Sequence, residues 1–183
     1  VVSKRDPENA PAPYVFPTAC PECGSAAVEV EGEVAIRCPN ESACPAFTRT
    51  RLRHFSSRHA LDIEGLGDKL VEQLIDSRLV AGPADLYTLH LKRDRLAGLE
   101  RMGRTSADNL LAGIETSRGA KIHKVLFGLG IRHVGQSVAE RVTNHFVQWS
   151  ALEASTVEQL EAIEDVGTVV AAAIREWFDD AGN

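Results

Sequence analysis

One pattern recurs four times in this 183-residue chain and restricts what the chain can become. Ile63-Glu64-Gly65-Leu66-Gly67, Leu99-Glu100-Arg101-Met102-Gly103, Ile131-Arg132-His133-Val134-Gly135 and Ile163-Glu164-Asp165-Val166-Gly167 all read apolar, any, any, apolar, glycine. The closing glycines lie 36, 32 and 32 residues apart, and each copy is flanked by leucine-bearing helical stretches. A period of this length marks one supersecondary unit used repeatedly. The unit expected here is helix, tight hairpin, helix.

The unit suggests an anion. Its two apolar residues tuck the turn onto the helices, and its last glycine lets the backbone approach a ligand closely. That glycine also opens a helix whose first N–H groups lack partners, at the positive end of the helix dipole. A single copy reads most simply as a corner that needs a glycine. Four copies at regular spacing suit a ligand with regularly spaced anions, and nucleic acid is the commonest. Only the first copy has glycine at both turn positions, Gly65 and Gly67. Arg101 with Gly103 and His133 with Gly135 would help grip phosphate, whereas Asp165 would repel it. The fourth copy is therefore expected to be structural.

Total charge argues against a polyanion, at −6, but its distribution does not. Residues 1–61 carry seven acids and seven bases, and residues 62–144 eleven acids and twelve bases. Residues 145–183 carry eight acids against Arg175 alone. Local rather than total charge decides where a polyanion sits. With no run of 18 apolar residues and no basic start leading into an apolar segment, the chain reads as soluble and cytoplasmic.

Cys20, Cys23, Cys38 and Cys44 are the only cysteines, spaced C-x2-C-x14-C-x5-C. Two close pairs of thiolates fill a tetrahedral zinc shell, which makes the site structural. Cys20-Pro21-Glu22-Cys23-Gly24 is a knuckle whose N–H groups can face sulfur. Val28, Val30, Val34 and Ile36 alternate with other residues around Gly32, the pattern of a short β-hairpin joining the two ligand pairs. Two disulfides would need an oxidising compartment, and a redox Cys-x-x-Cys a thioredoxin-like context; neither is indicated. Directly after the last ligand, Arg49, Arg51 and Arg53 lead up to Phe55. On a strand or short turn these arginines would share a face and contact phosphate; on a helix they would not.

Seven of the eight prolines fall in the first 45 residues, and Pro7, Pro11, Pro13 and Pro17 make residues 1–17 an extended connector. From residue 60 the chain reads as helices joined by short turns. Leu70, Val71, Leu74 and Ile75 form one apolar stripe, Ser106 or Asp108 is a candidate helix start, and Ser150/Glu153 and Ser155/Glu158 each fit a capping box. The fold class expected is mainly α: a small four-cysteine zinc finger with a β-hairpin, then an all-α array of four helix-hairpin-helix motifs. The expected divisions are 1–17 connector, 18–59 zinc finger with its basic stretch, and 60–183 helical domain.

This combination resembles the C-terminal part of bacterial NAD+-dependent DNA ligases. The residues that carry the resemblance are Phe16-Pro17, Cys20-Pro21-Glu22-Cys23-Gly24, Asp62 to Gly67, Gly98 to Gly103 and Leu129 to Gly135. It implies that residues 1–17 are the exit from an OB-fold domain. It also implies that the chain grips double-stranded, nicked DNA through the backbone, independently of sequence, as a monomer. NAD+ and Mg2+ would serve a catalytic region outside these residues. The family's Lys-x-Asp-Gly nucleotidyl motif does not occur here, so no catalytic residue is assigned. A free-standing DNA-binding protein and a protein-interaction module are the alternatives.

Overall fold

In the computed structural model, residues 15–29, 34–41 and 43–183 are described. They divide into two compact units, one ending at Cys44 and one beginning at Pro45. Pro7, Pro11 and Pro13 of the expected connector lie outside the described residues, as do Val30 and Gly32 of the expected hairpin.

The first unit has little regular structure. β1 (Val28–Glu29) pairs antiparallel with β2 (Ile36–Arg37) in the register Val28 to Arg37 and Glu29 to Ile36. An isolated bridge joins Ala19 to Ala26. The alternating apolar residues do not make a core, because Val28, Val34 and Ile36 are all exposed. Cys44 is the one buried apolar side chain among this unit's described residues. Two-residue strands with no buried face cannot hold themselves together. The thiols they position must supply the cohesion.

The second unit is helical throughout. Its helices are α1 (Pro45–Ser56), α2 (Asp68–Asp76), α3 (Pro83–Leu86), α4 (Arg93–Ala97), α5 (Arg104–Ser117), α6 (Ile122–Gly128), α7 (Gln136–His145), α8 (Trp149–Glu153), α9 (Val157–Glu161) and α10 (Thr168–Asp179). A 3-10 turn spans Leu89–Lys92. No helix among the described residues is long and apolar enough to cross a membrane.

Two apolar clusters organise these helices. The first gathers residues from Leu52 to Ile114 and includes the first two hairpins; the second runs from Leu126 to Ile174 and includes the other two. Phe127 packs against both. At that junction α6 comes up against α1: the carbonyl of Phe127 lies 2.7 Å from His54 Nε2, and the two rings meet edge to face at 4.6 Å. Gly128 makes the approach possible. A Cβ there would sit 2.6 Å from Leu61 Cδ2 and 3.3 Å from Ala60 Cβ.

Several local expectations are corrected. The stripe on α2 buries Val71 and Leu74 but leaves Leu70 and Ile75 partly covered. The helix after the second hairpin starts at Arg104, because Gly103 is already its N-cap. Neither serine capping box forms. The α8 cap is Gln148, and Ser155 donates its hydroxyl to the Leu152 carbonyl at 2.7 Å. Thr156 caps α9 instead, in a reciprocal box with Gln159. Burial of Ser155 at 4% exposure takes its hydroxyl inward and passes the cap to the next hydroxyl along.

The α1–α6 junction yields a stability prediction. Gly128→Val forces a branched side chain onto Leu61, Ala60 and Phe55 and should cost about 1–3 kcal/mol, the usual range for overpacking. A urea melt of the variant should show a lower midpoint. An unchanged midpoint would mean that the junction is not tight.

Candidate metal centre and nucleic-acid interface

The four cysteines converge. One sulfur from each lies within 4.8 Å of all the others, with Cys20 Sγ 3.9 Å from Cys44 Sγ and Cys23 Sγ 3.5 Å from Cys38 Sγ. Zn–S bonds near 2.3 Å in a tetrahedron put the sulfurs about 3.8 Å apart, so the arrangement fits zinc. The same separations far exceed a disulfide bond of about 2.05 Å, and none of the four is disulfide-bonded.

Backbone turns build the two halves of this site. Gly24 takes a left-handed φ of +74°, Cys20 N–H donates to the Ser25 carbonyl at 2.8 Å, and Gly24 N–H donates to the Cys20 carbonyl at 2.9 Å. Ser25 Oγ then stands 3.3 Å from Cys23 Sγ. The Ser25 hydroxyl, followed by its backbone N–H, draws the Cys23 thiol down to about 6. On the other side the Asn40 N–H favours a Cys38 thiolate. Desolvation and the neighbouring sulfurs of Cys23 and Cys20 outweigh it and push Cys38 up to about 12. Four sulfurs this close cannot all ionise without a cation among them. A divalent ion held by the four thiolates supplies that charge and closes the unit.

The four hairpins share one backbone geometry. The middle turn position is left-handed in every copy, with φ of +84° at Gly65, +59° at Arg101, +64° at His133 and +64° at Asp165. The closing glycine is the extended N-cap of a helix in every copy: Gly67 on α2, Gly103 on α5, Gly135 on α7 and Gly167 on α10. None of these caps supplies a side-chain hydrogen bond, so nothing from the cap covers the first-turn N–H groups.

The closing glycines are not required by the protein's own interior. Their φ values run from −80° to −124°, open to any residue, and a Cβ at Gly67, Gly103, Gly135 or Gly167 would meet nothing within 4 Å. Glycine here leaves the outer side of the turn bare, which suits a ligand that comes up against the backbone. The repeat also extends further than the turn. Val71, Ala107, Ala139 and Ala171 stand four residues after these glycines, donate their N–H groups back to the glycine carbonyls, and are 0% exposed. Three alanines at one offset were a legible signal that the turn pattern alone misses.

Side chains around the turns differ. Arg101 and His133 are exposed at their turn tips, and Arg101 lies 3.5 Å from Glu100. Lys69 on α2 and Arg104 on α5 are exposed in the first turns beside Gly67 and Gly103; the motif by itself does not single them out. Asp165 is met by Arg141 of α7 at 2.7 Å, with Glu164 at 3.4 Å from the same guanidinium.

The basic stretch takes a form that divides it. Arg49, Arg51 and Arg53 lie on α1, so they do not line up as they would on a strand or short turn. Arg51 donates to Asn183 Oδ1 at 3.2 Å. Arg53 faces Asp68 at 2.9 Å and Glu72 at 3.3 Å, both on α2. Its charge is matched inside the fold.

In class, then, this is a four-cysteine zinc-finger unit followed by a helix-hairpin-helix array. Comparison with known proteins makes the relationship particular. Residues 19–46 match the NAD-dependent DNA ligase C4 zinc finger domain, and residues 124–183 match the helix-hairpin-helix motif. Over all 183 residues the chain is 46% identical to a DNA ligase of Marinomonas sp. (strain MWYL1) and 47% identical to one of Saccharophagus degradans. It covers 27% of each of those proteins. A DNA ligase of Symbiobacterium thermophilum is 45% identical over 97% of the chain, which spans 26% of it. The chain is thus similar along its length to a segment of proteins named DNA ligase, and it spans about a quarter of their length.

The metal assignment is open to direct measurement. Elemental analysis should give one zinc per chain, and loading zinc at neutral pH should release protons, since Cys38 begins protonated. Apparent affinity should rise with pH as the thiols ionise. Cys23→Ser should disorder the first unit while leaving most of the helical circular dichroism, because the second unit has its own apolar clusters. A metal-free chain with all four thiols reactive and its fold intact would refute the assignment.

Proposed function

We propose that the chain is the non-catalytic DNA-binding segment of an NAD+-dependent DNA ligase. It grips the backbone of a nicked duplex, during replication and repair in the cytoplasm, while a catalytic region outside these residues joins the 3′-hydroxyl to the 5′-phosphate. NAD+ and Mg2+ belong to that region. The observation that carries the reading is the set of closing glycines, whose outer faces nothing in the second unit occupies. Similarity along the whole of this chain to proteins named DNA ligase supports it over a free-standing DNA-binding protein. A protein-interaction module would not need bare N–H groups at regular intervals.

In this reading the first three hairpins meet phosphates through the amides after Gly67, Gly103 and Gly135. Lys69, Arg101 and Arg104 add charge beside them, His133 adds a ring N–H donor at the third tip, and Gly65 keeps the first tip small. Contacts to phosphate position a protein without reading sequence. Binding by the monomer is therefore indifferent to sequence and weakens with salt as counterions are released.

Titration of nicked and intact duplexes at several salt concentrations tests this. Tighter binding to the nicked duplex and a steep loss with salt are expected; salt-independent binding, or none, would defeat the reading. Incubation with labelled NAD+ and Mg2+ should leave the chain unlabelled, since it contains no Lys-x-Asp-Gly.

The hairpins should rank by local charge. Gly67→Val should weaken binding by about 1–2 kcal/mol more than Gly167→Val, the scale of one or two charge-assisted hydrogen bonds. A Cβ meets nothing within 4 Å at either position and both are helix N-caps, so the folding cost is shared; thermal melts of the two variants check that it is equal before the binding difference is read. A larger loss at Gly167 would reverse the ranking.

A further inference from the structure

The two halves of the helical unit share a contact that the hairpin motif does not contain. Gln73 stands six residues after Gly67 on α2, and its amide nitrogen donates to the carbonyl of Glu100 at 3.3 Å. Arg141 stands six residues after Gly135 on α7 and reaches Glu164 at 3.4 Å and Asp165 at 2.7 Å. Glu100 and Glu164 occupy the same position, the second, of the second and fourth hairpins. Each half of the array thus sends a polar side chain from the helix after its first hairpin to the turn of its second. The reverse contact is not built into the second half, since the residue six after Gly167 is Ala173.

We propose that Arg141 is a positioning residue that fixes the third and fourth hairpins relative to each other, and that Gln73 does the same for the first and second. Arg141 holds two carboxylates of a turn whose middle residue, Asp165, is left-handed and not glycine. Its charge is thereby committed to the protein. Of the third and fourth hairpins only the third meets phosphate in the binding role proposed above, so the brace acts on the fold, and the DNA readout rests on that role.

The test uses Arg141→Ala and Arg141→Gln, the second copying the residue at the matching site on α2. The Val166 amide, which closes the fourth turn onto the Ile163 carbonyl at 3.0 Å, reports the brace without DNA. Its hydrogen exchange should speed up about two- to fivefold in Arg141→Ala, the range for a partly exposed ion pair, and recover in Arg141→Gln. The Val134 amide of the third turn should not change. Affinity for a nicked duplex should change by less than about twofold in either variant, because the fourth hairpin that Arg141 braces is not among those that meet phosphate. The slope of log K against log salt should stay the same in both, because no phosphate contact is lost. Unchanged Val166 exchange in Arg141→Ala would overturn the proposal. So would a slope reduced by about one in both variants, which would make Arg141 a phosphate ligand. If the parent chain binds no duplex, the binding role fails, and the exchange comparison still decides the brace.

Discussion

A left-handed residue held in the middle of each hairpin is the constraint on which the helical unit depends. Three of the four are not glycine, and an L-residue in that conformation costs roughly 1 kcal/mol or more. Each turn holds because the apolar residues on either side are pinned against an interior. Ile63 and Leu66, Ile131 and Val134, and Ile163 and Val166 are all buried, and Leu99 and Met102 pack on the first cluster. Once those two side chains are seated, the chain between them has one way to turn. The next residue arrives extended, and the following helix starts with its first amides facing out.

That chain of consequences separates two jobs that a glycine can do. At the middle position glycine would relieve strain, yet only Gly65 is used that way. At the closing position there is no strain to relieve, and glycine is present in all four copies. At Gly128 it serves a third purpose, letting α6 lie against Leu61 and Ala60 so that Phe127 can join both clusters. The repeated glycine that looks most structural in the sequence is therefore the one the interior needs least.

Much of this could be read from residue order. The repeat, its period, the thiol spacing and the mainly helical class all appear as local patterns, because each depends on residues a few positions apart. What stayed hidden depends on residues far apart. The pairing of Arg141 with Asp165 spans 24 residues, and that of Arg53 with Asp68 spans 15. Neither is implied by spacing on a single helix. The capping boxes failed for a related reason: Ser155 satisfies its local rule, but burial turns its hydroxyl toward Leu152 and leaves Thr156 to cap. The alternating valines near the cysteines suggested a hairpin with a face to bury. Exposure of Val28 and Ile36 shows that the metal site, rather than apolar burial, has to hold that unit.

Charge completes the division of labour among the hairpins. Bases in the acidic last quarter and at its border are used internally: Arg141 meets Glu164 and Asp165, and Arg175 donates to Asp179 and to the Glu153 carbonyl. With those cations paired, Glu158 and Glu161 stand exposed just ahead of the fourth hairpin with no base beside them in sequence. Around the second hairpin the balance runs the other way, with Arg101 and Arg104 exposed on either side of Gly103. A polyanion meeting this unit would encounter the same bare turn four times but a welcoming field at only some of them. The net charge of −6 is concentrated in one quarter of the chain, so it does not describe the field at the first three hairpins, and local rather than total charge would decide where a polyanion could sit.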